Sequence, residues 1–130
     1  MEFNLKIKNK TFIRWNNWSD FIVENNLFNF KKNNSILLAF VTYNLSDKVI
    51  ELLDKLKTDN SWWKFDILIV DNNSEINHFE KIKNYIIDNN FTFINLVQTI
   101  DNLWWAWWNA IILEYFLSKD YDYLILSEDD

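Results

Sequence analysis

Ile36-Leu37-Leu38-Ala39-Phe40-Val41-Thr42-Tyr43-Asn44 opens with a fully apolar run and turns polar at Thr42. An apolar run of strand length, without polar alternation, reads as a strand buried on both faces. The period then changes. Val49, Leu52, Leu53 and Leu56 recur at helical spacing, with Ser46 or Asp47 as the expected N-cap. The same unit repeats downstream. Residues 65–70 read as a second buried strand ending at Asp71-Asn72-Asn73-Ser74, and 77–88 as a helix with Phe79, Ile82, Tyr85 and Ile86 facing inward. Residues 91–96 read as a third strand, 101–108 as a loop, and 109–118 as a third helix whose start extends up to a turn earlier. Residues 123–127 read as a last buried strand, running into Glu128-Asp129-Asp130.

Apolar strands alternating with amphipathic helices imply an α/β fold: a mostly parallel sheet with helices on both faces and right-handed crossovers. Ligands in such sheets bind beyond the carboxyl ends of the strands. Thr42-Tyr43-Asn44, Asp71-Asn72-Asn73-Ser74 and Glu128-Asp129-Asp130 are therefore expected on one rim. Residues 1–34 read as a short β-rich extension before a domain at 35–130. Leu5-Lys6-Ile7-Lys8 and the stretch 10–14 are its candidate paired strands, Trp15-Asn16-Asn17-Trp18 a candidate turn, and Lys31-Lys32-Asn33-Asn34 the boundary.

Composition removes several classes of function. The 130 residues allow one domain with one real core. A formal net charge of −6 argues against a general nucleic-acid surface. With Cys 0 and His 1, thiolate chemistry and multi-histidine zinc sites are excluded, and one loop histidine, His78, does not support a catalytic triad. No apolar run approaches the roughly 18 residues of a membrane span. A cytoplasmic protein is expected, or one peripheral to the inner face of the membrane.

Gly 0, Pro 0 and Trp 8 are abnormal together, since ordinary usage gives roughly 9 Gly and 6 Pro at this length. The tryptophans stand at 15, 18, 62, 63, 104, 105, 107 and 108, in turn-like contexts beside a high Asn, Lys and Ile content. The pattern points to an A/T-rich coding sequence in which the codon UGA, read as glycine in some bacterial lineages, is written here as tryptophan. Eight UGG codons in the DNA would end that reading. The rival is a genuinely tryptophan-rich chain with aromatic platforms.

The chemistry-bearing residues gather at the strand ends. Three adjacent carboxylates repel, and delivered by a strand end they suit a hard cation such as Mg²⁺ or Mn²⁺ with phosphate oxygens; the bland reading is a solvated acidic tail. Asp71 can accept from a nucleobase imide or a ribose hydroxyl, or can simply build an Asx-turn or helix N-cap with Asn72, Asn73 and Ser74. Thr42 and Asn44 offer hydroxyl and amide groups, or ordinary capping. The loop from Asp101 to Asn109 is a sugar-stacking platform if its tryptophans are real, and core packing is the plainer alternative. With glycine there, it is a loop that lets a diphosphate approach the backbone.

In order and spacing, Val41-Thr42-Tyr43-Asn44, Ile69-Val70-Asp71-Asn72-Asn73-Ser74, the Asn102-to-Asn109 loop and the stretch 121–130 resemble family 2 glycosyltransferases. The likeness is greatest to rhamnosyl- and galactofuranosyltransferase-like members, whose third loop reads Asn-x-Gly-Gly-x-Gly-Gly. It covers about residues 35–130, and the loop's glycine pattern is independent support for recoding. The resemblance implies a Rossmann-like GT-A nucleotide-sugar-binding half and a metal-dependent enzyme of polysaccharide biosynthesis. Its donor would be a UDP- or dTDP-sugar, its acceptor a glycan or lipid-linked glycan, and its cofactor Mn²⁺ or Mg²⁺. Thr42, Tyr43, Asn44, Asp71, Asn73, Asn102, Asn109 and Asp129 would line the nucleotide-sugar pocket. Glu128, Asp129 and Asp130 would hold the metal, with Glu128 departing from the family's usual first aspartate. The family's general base and acceptor half would lie downstream of residue 130, so no transfer by these residues alone is expected. The competing readings are a non-catalytic tryptophan-rich carbohydrate-binding module and another nucleotide-binding α/β domain, such as a nucleotidyltransferase.

Overall fold

Three strand–helix units in succession set the architecture. A computed structural model describes residues 3–7, 10–14, 22–25, 27–60, 64–103 and 105–127. Strands β1 (Phe3–Ile7) and β2 (Lys10–Arg14) pair antiparallel, Phe3 opposite Arg14 and Ile7 opposite Lys10, as the sequence suggested. The turn expected at Trp15-Asn16-Asn17-Trp18 lies outside the described residues. Then come β3 (Ile22–Glu24) and a 3-10 turn (Leu27–Asn29). The units follow: β4 (Ile36–Thr42), α1 (Ser46–Thr58), β5 (Asp66–Asp71), α2 (Ile76–Asp88), β6 (Ile94–Thr99), α3 (Trp105–Ser118) and β7 (Tyr123–Leu126).

The main sheet has the order β3-β6-β5-β4-β7. β4, β5, β6 and β7 are parallel, and β3 runs antiparallel along β6. The chain steps outward from β4 to β5 to β6, and α3 then carries it back to the far side of β4. Strand order thus reverses between β4 and β7, and in open α/β sheets such a switch point leaves a crevice at the strand ends. One face of the sheet (Leu38, Phe40, Ile67, Ile69, Ile94, Leu96) packs on Val49 and Leu53 of α1 and on Phe79, Ile82 and Ile86 of α2. The other (Leu37, Ala39, Leu68, Val70, Val97) packs on Ile111, Ile112 and Tyr115 of α3. Both helical stripes read from the sequence face the core, with Leu52, Leu56 and Tyr85 partly buried at its margin.

Without glycine, the left-handed backbone positions fall mostly to asparagine: Asn29, Asn44, Asn60, Asn73 and Asn90 have φ between 52° and 60°, joined by Phe28 and Asp120. Asparagine visits this region at least cost among the non-glycine residues. Asn90 and Asp120 each follow a helix end. Beyond Asn90 the Phe91 N–H donates to the Ile86 carbonyl, and beyond Asp120 the Tyr121 N–H donates to the Phe116 carbonyl. These are Schellman closures with asparagine or aspartate where glycine is usual.

Several boundaries differ from expectation. The third strand begins at Ile94, not 91, because the closure after α2 uses Phe91, which turns into the core. It runs on through polar Gln98 and Thr99, which an apolar count misses. Asp71 is the last residue of β5, not the first beyond it. The third helix begins at Trp105, a turn before Asn109 as the sequence allows, which shortens the loop 101–108; tryptophan and alanine both support helix where glycine would not. β7 is not buried as expected: it is an edge of the sheet, with Tyr123 66% exposed. The N-cap of α1 is Leu45, with no side-chain cap, because the Ser46 hydroxyl is engaged elsewhere. His78 is in the first turn of α2, not in a loop.

Candidate functional site

β4 and β5 end level with each other, Thr42 opposite Asp71. Cross-strand partners in a parallel pair point to the same face, here the face covered by α1 and α2. Both side chains are buried, and Asp71 is 0% exposed. The two oxygens of the Asp71 carboxylate are placed differently. Its Oδ2 accepts the Ser74 N–H at 3.1 Å, which is the Asx-type turn considered from the sequence. Its Oδ1 has no hydrogen-bond partner, and neither has the Thr42 hydroxyl beside it. A buried polar atom left unpaired costs about 1–3 kcal/mol, and native interiors contain few of them. Burial pushes the Asp71 carboxyl above its ordinary 3.8, while the Ser74 contacts and the charge of nearby His78 pull the other way.

Hydrogen bonds knit three connections around this pair. From the β4–α1 side, the Asn44 N–H donates to Ser74 Oγ (2.9 Å), and Asn44 Oδ1 accepts the Glu75 N–H (2.8 Å). Behind them, Ser46 Oγ and His78 Nδ1 are 2.8 Å apart, joining the first turns of α1 and α2. On the other side Asn72, buried, reaches the β6–α3 connection. Its amide nitrogen donates to Asn102 Oδ1 (2.9 Å) and the Leu103 carbonyl (3.1 Å), and its Oδ1 accepts from the Leu103 N–H (2.8 Å) and Thr99 Oγ1 (3.2 Å). Tyr43 stands exposed on the rim, as does Asn73.

Of the residues singled out from the sequence, Thr42, Tyr43, Asn44, Asp71, Asn73 and Asn102 thus belong to one linked rim. Asn109 lies in the second turn of α3, partly buried. β7 is parallel to β4, with the Ser127 N–H on the Ala39 carbonyl (3.0 Å), so its carboxyl end faces the same way. Glu128, Asp129 and Asp130 lie outside the described residues. Among the described residues, no group of three His, Cys, Asp or Glu could hold a metal ion. Sequence reasoning named the stretch 71–74 but not Asn72 as the knot between loops, nor the Ser46–His78 pair. The adjacent Asn72-Asn73 was the available signal: one amide turns inward and its neighbour takes the left-handed backbone.

In the first turn of α3, Trp108 packs against the α3-side core and Trp107 is 39% exposed. Two cavities lie away from the rim: an open groove of about 400 Å³ along α1, and a pocket of about 280 Å³ lined by Asn95, Tyr115 and Tyr121.

The chain matches no family model, no curated protein and no solved structure. Among the described residues, no helix is long and apolar enough to cross a membrane.

Proposed function

We propose that the chain is the donor-binding half of a metal-dependent glycosyltransferase with a Rossmann-like GT-A fold, acting on a UDP- or dTDP-sugar and a glycan or lipid-linked acceptor. The observation that carries the reading is the pair of unpartnered, buried oxygens on Asp71 and Thr42, at the carboxyl ends of adjacent parallel strands. A nucleoside offers what Asp71 lacks, an imide N–H or a ribose hydroxyl. The strand order supports it too, because it sets a switch point between β4 and β7. An enclosed water would also satisfy the two oxygens; a ligand, by contrast, must displace the turn at Tyr43–Asn44 or at Asn73–Ser74 to reach them.

Tyr43 would flank the base, and Asn73 and Asn102 the donor loop, with Asn109 behind it. Glu128, Asp129 and Asp130 would hold Mn²⁺ or Mg²⁺, since hard carboxylate oxygens suit either ion. The ion would neutralise charge on a departing diphosphate.

Calorimetric titration with UDP and dTDP, with and without Mn²⁺, tests the proposal. Saturable binding strengthened by Mn²⁺ is expected. Asp71→Asn and Asp130→Ala should each weaken it at least about tenfold, because a hydrogen bond to a charged group contributes roughly 1.5–3 kcal/mol and about 1.4 kcal/mol is tenfold. Unchanged affinity in Asp71→Asn would remove the basis of the assignment.

A further inference from the structure

At the opposite end of the sheet from the rim, a pocket of about 280 Å³ lies on the α3 side. Its walls come from β3, the segment before β4, β6, the end of α3 and the approach to β7. They include Lys31, Lys32 and Lys119 against one carboxylate, Glu24. Three ammonium groups around one cavity is a local reversal in a chain of net charge −6. The tyrosine rings behind them are stacked, with centroids 6.4 Å apart and planes at 23°. Lys32 Nζ stands 5.1 Å from the centre of the Tyr121 ring and also donates to the Asp120 carbonyl at 2.6 Å. Lys119 Nζ stands 5.7 Å from the centre of the Tyr115 ring. Ring faces hold cations by their quadrupole, so two of the three lysines are already positioned. That reduces the side-chain entropy lost when a ligand binds.

We propose that this pocket binds a small oxyanion, a free phosphate monoester, between the ammonium groups of Lys31, Lys32 and Lys119. Lysine binds phosphate as a point charge. The cavity is slightly below the roughly 300–1,000 Å³ of drug-sized sites, which suits a phosphate with a small polar body. Glu24 and the Asn95 amide, on the same wall, can take that body's hydroxyls. The net charge of −6 disfavours a long polyanion, which would run beyond the three lysines onto an acidic surface. Tyr115, pushed up to about 12 by burial, keeps its proton and adds no negative charge near neutrality, and the Asp66 carboxylate behind the floor is covered by the Tyr121 hydroxyl.

Amide NMR titration of the 130-residue chain with inorganic phosphate, then with ribose 5-phosphate, tests the site. The expected result is saturable shifts clustered at residues 31, 32, 95 and 119, weakened at least about tenfold in the Lys32→Gln/Lys119→Gln double variant. Both lysines are exposed, so the variant should keep its fold, checked by circular dichroism; Lys31→Gln, which disturbs neither ring contact, should weaken binding as well. Asp71→Asn should leave phosphate binding unchanged, which separates this site from the rim. Shifts that chloride reproduces at equal ionic strength, or equal affinity in the lysine variants, would overturn the proposal. Co-sedimentation with phosphatidic acid vesicles would overturn the choice of a free ligand over a lipid headgroup.

Discussion

Strand β5 begins and ends on a buried aspartate, and the two are treated oppositely. Asp66 and Asp71 are both 0% exposed. At Asp66, Oδ1 accepts from the Asn34 amide (3.0 Å), and Oδ2 accepts from the Asn33 N–H (2.9 Å) and the Tyr121 hydroxyl (2.7 Å). Three donors from two distant segments close on one carboxylate, tying the entry to β4 and the approach to β7 onto the start of β5. At Asp71, one oxygen holds a local turn and the other holds nothing. A buried charge is retained at modest cost only when its hydrogen bonds are complete. The amino end of β5 meets that condition and the carboxyl end does not. The first end reads as a staple, the second as a place where stability is given up, the feature on which the proposed nucleotide site rests.

The same isosteric change at both ends should separate the two. Asp66→Asn puts an NH₂ group against groups that are themselves donors, so at least one buried donor is stranded. The expected loss is on the order of 2–4 kcal/mol, at about 1–3 kcal/mol per stranded group. For a chain of this size that lowers Tm by roughly 10 °C, measurable by differential scanning calorimetry. A loss below about 1 kcal/mol would show that the three donors find water instead, and the contrast would fail at its stronger end.

How much of this contrast could be read beforehand depends on which residues carry it. The strand–helix alternation was legible because the runs at 36–41 and 65–70 are long and apolar, and because the helical stripes repeat cleanly. Asp71 was legible because it ends such a run. Asp66 was not: it lies inside the stretch read as buried strand, and its partners, Asn33, Asn34 and Tyr121, are 32 to 55 residues away in sequence. Long-range closure of this kind leaves no local period. The polar ends of β6, Gln98 and Thr99, were missed for a related reason, since the ladder is set by neighbouring strands rather than by the segment's own hydropathy. The exposure of β7 follows from its edge position, which its apolar sequence does not reveal.

Asp71→Asn is the second test. The amide keeps an oxygen for the Ser74 N–H and replaces the unpartnered, charged oxygen with a neutral NH₂ group. Folding stability at pH 7 should be unchanged or higher by about 1 kcal/mol, because a desolvated charge is removed, while nucleotide binding falls. The pH dependence carries a sign. Burial raises the folded-state pKa of Asp71 above 3.8, so the folded state keeps this proton at pH values where the unfolded chain has lost it. Its contribution to stability is therefore fullest below 3.8 and declines as pH rises through the folded value. Melting curves of wild type and Asp71→Asn, compared from pH 7 downward, should converge or cross as the pH falls. A gap that widens in favour of the variant on acidification would mean that Asp71 is stabilised as a carboxylate, hence a second staple.

The smallest effects sharpen the comparison one bond at a time. Tyr121→Phe removes one of the three donors on Asp66 and leaves the carboxylate with two, so a loss of about 1–2 kcal/mol is expected. Ser74→Ala at the other end spares the backbone N–H that caps Asp71 and removes the hydroxyl that accepts from Asn44 and helps hold the Asp71 carboxyl down. Because that bond is only partly buried, its loss should cost about 0.5–1 kcal/mol. What it releases is the bond that joins the Asn44 turn to the Ser74 turn, the two segments of which one must move for a ligand to reach Asp71. If the carboxyl end of β5 is a site, Ser74→Ala should speed ligand association, measured by stopped-flow fluorescence of a labelled UDP, while barely moving Tm. If Ser74→Ala instead lowers Tm as far as Tyr121→Phe does, the rim is held as rigidly as the staple, and the two ends of β5 differ only in their partners.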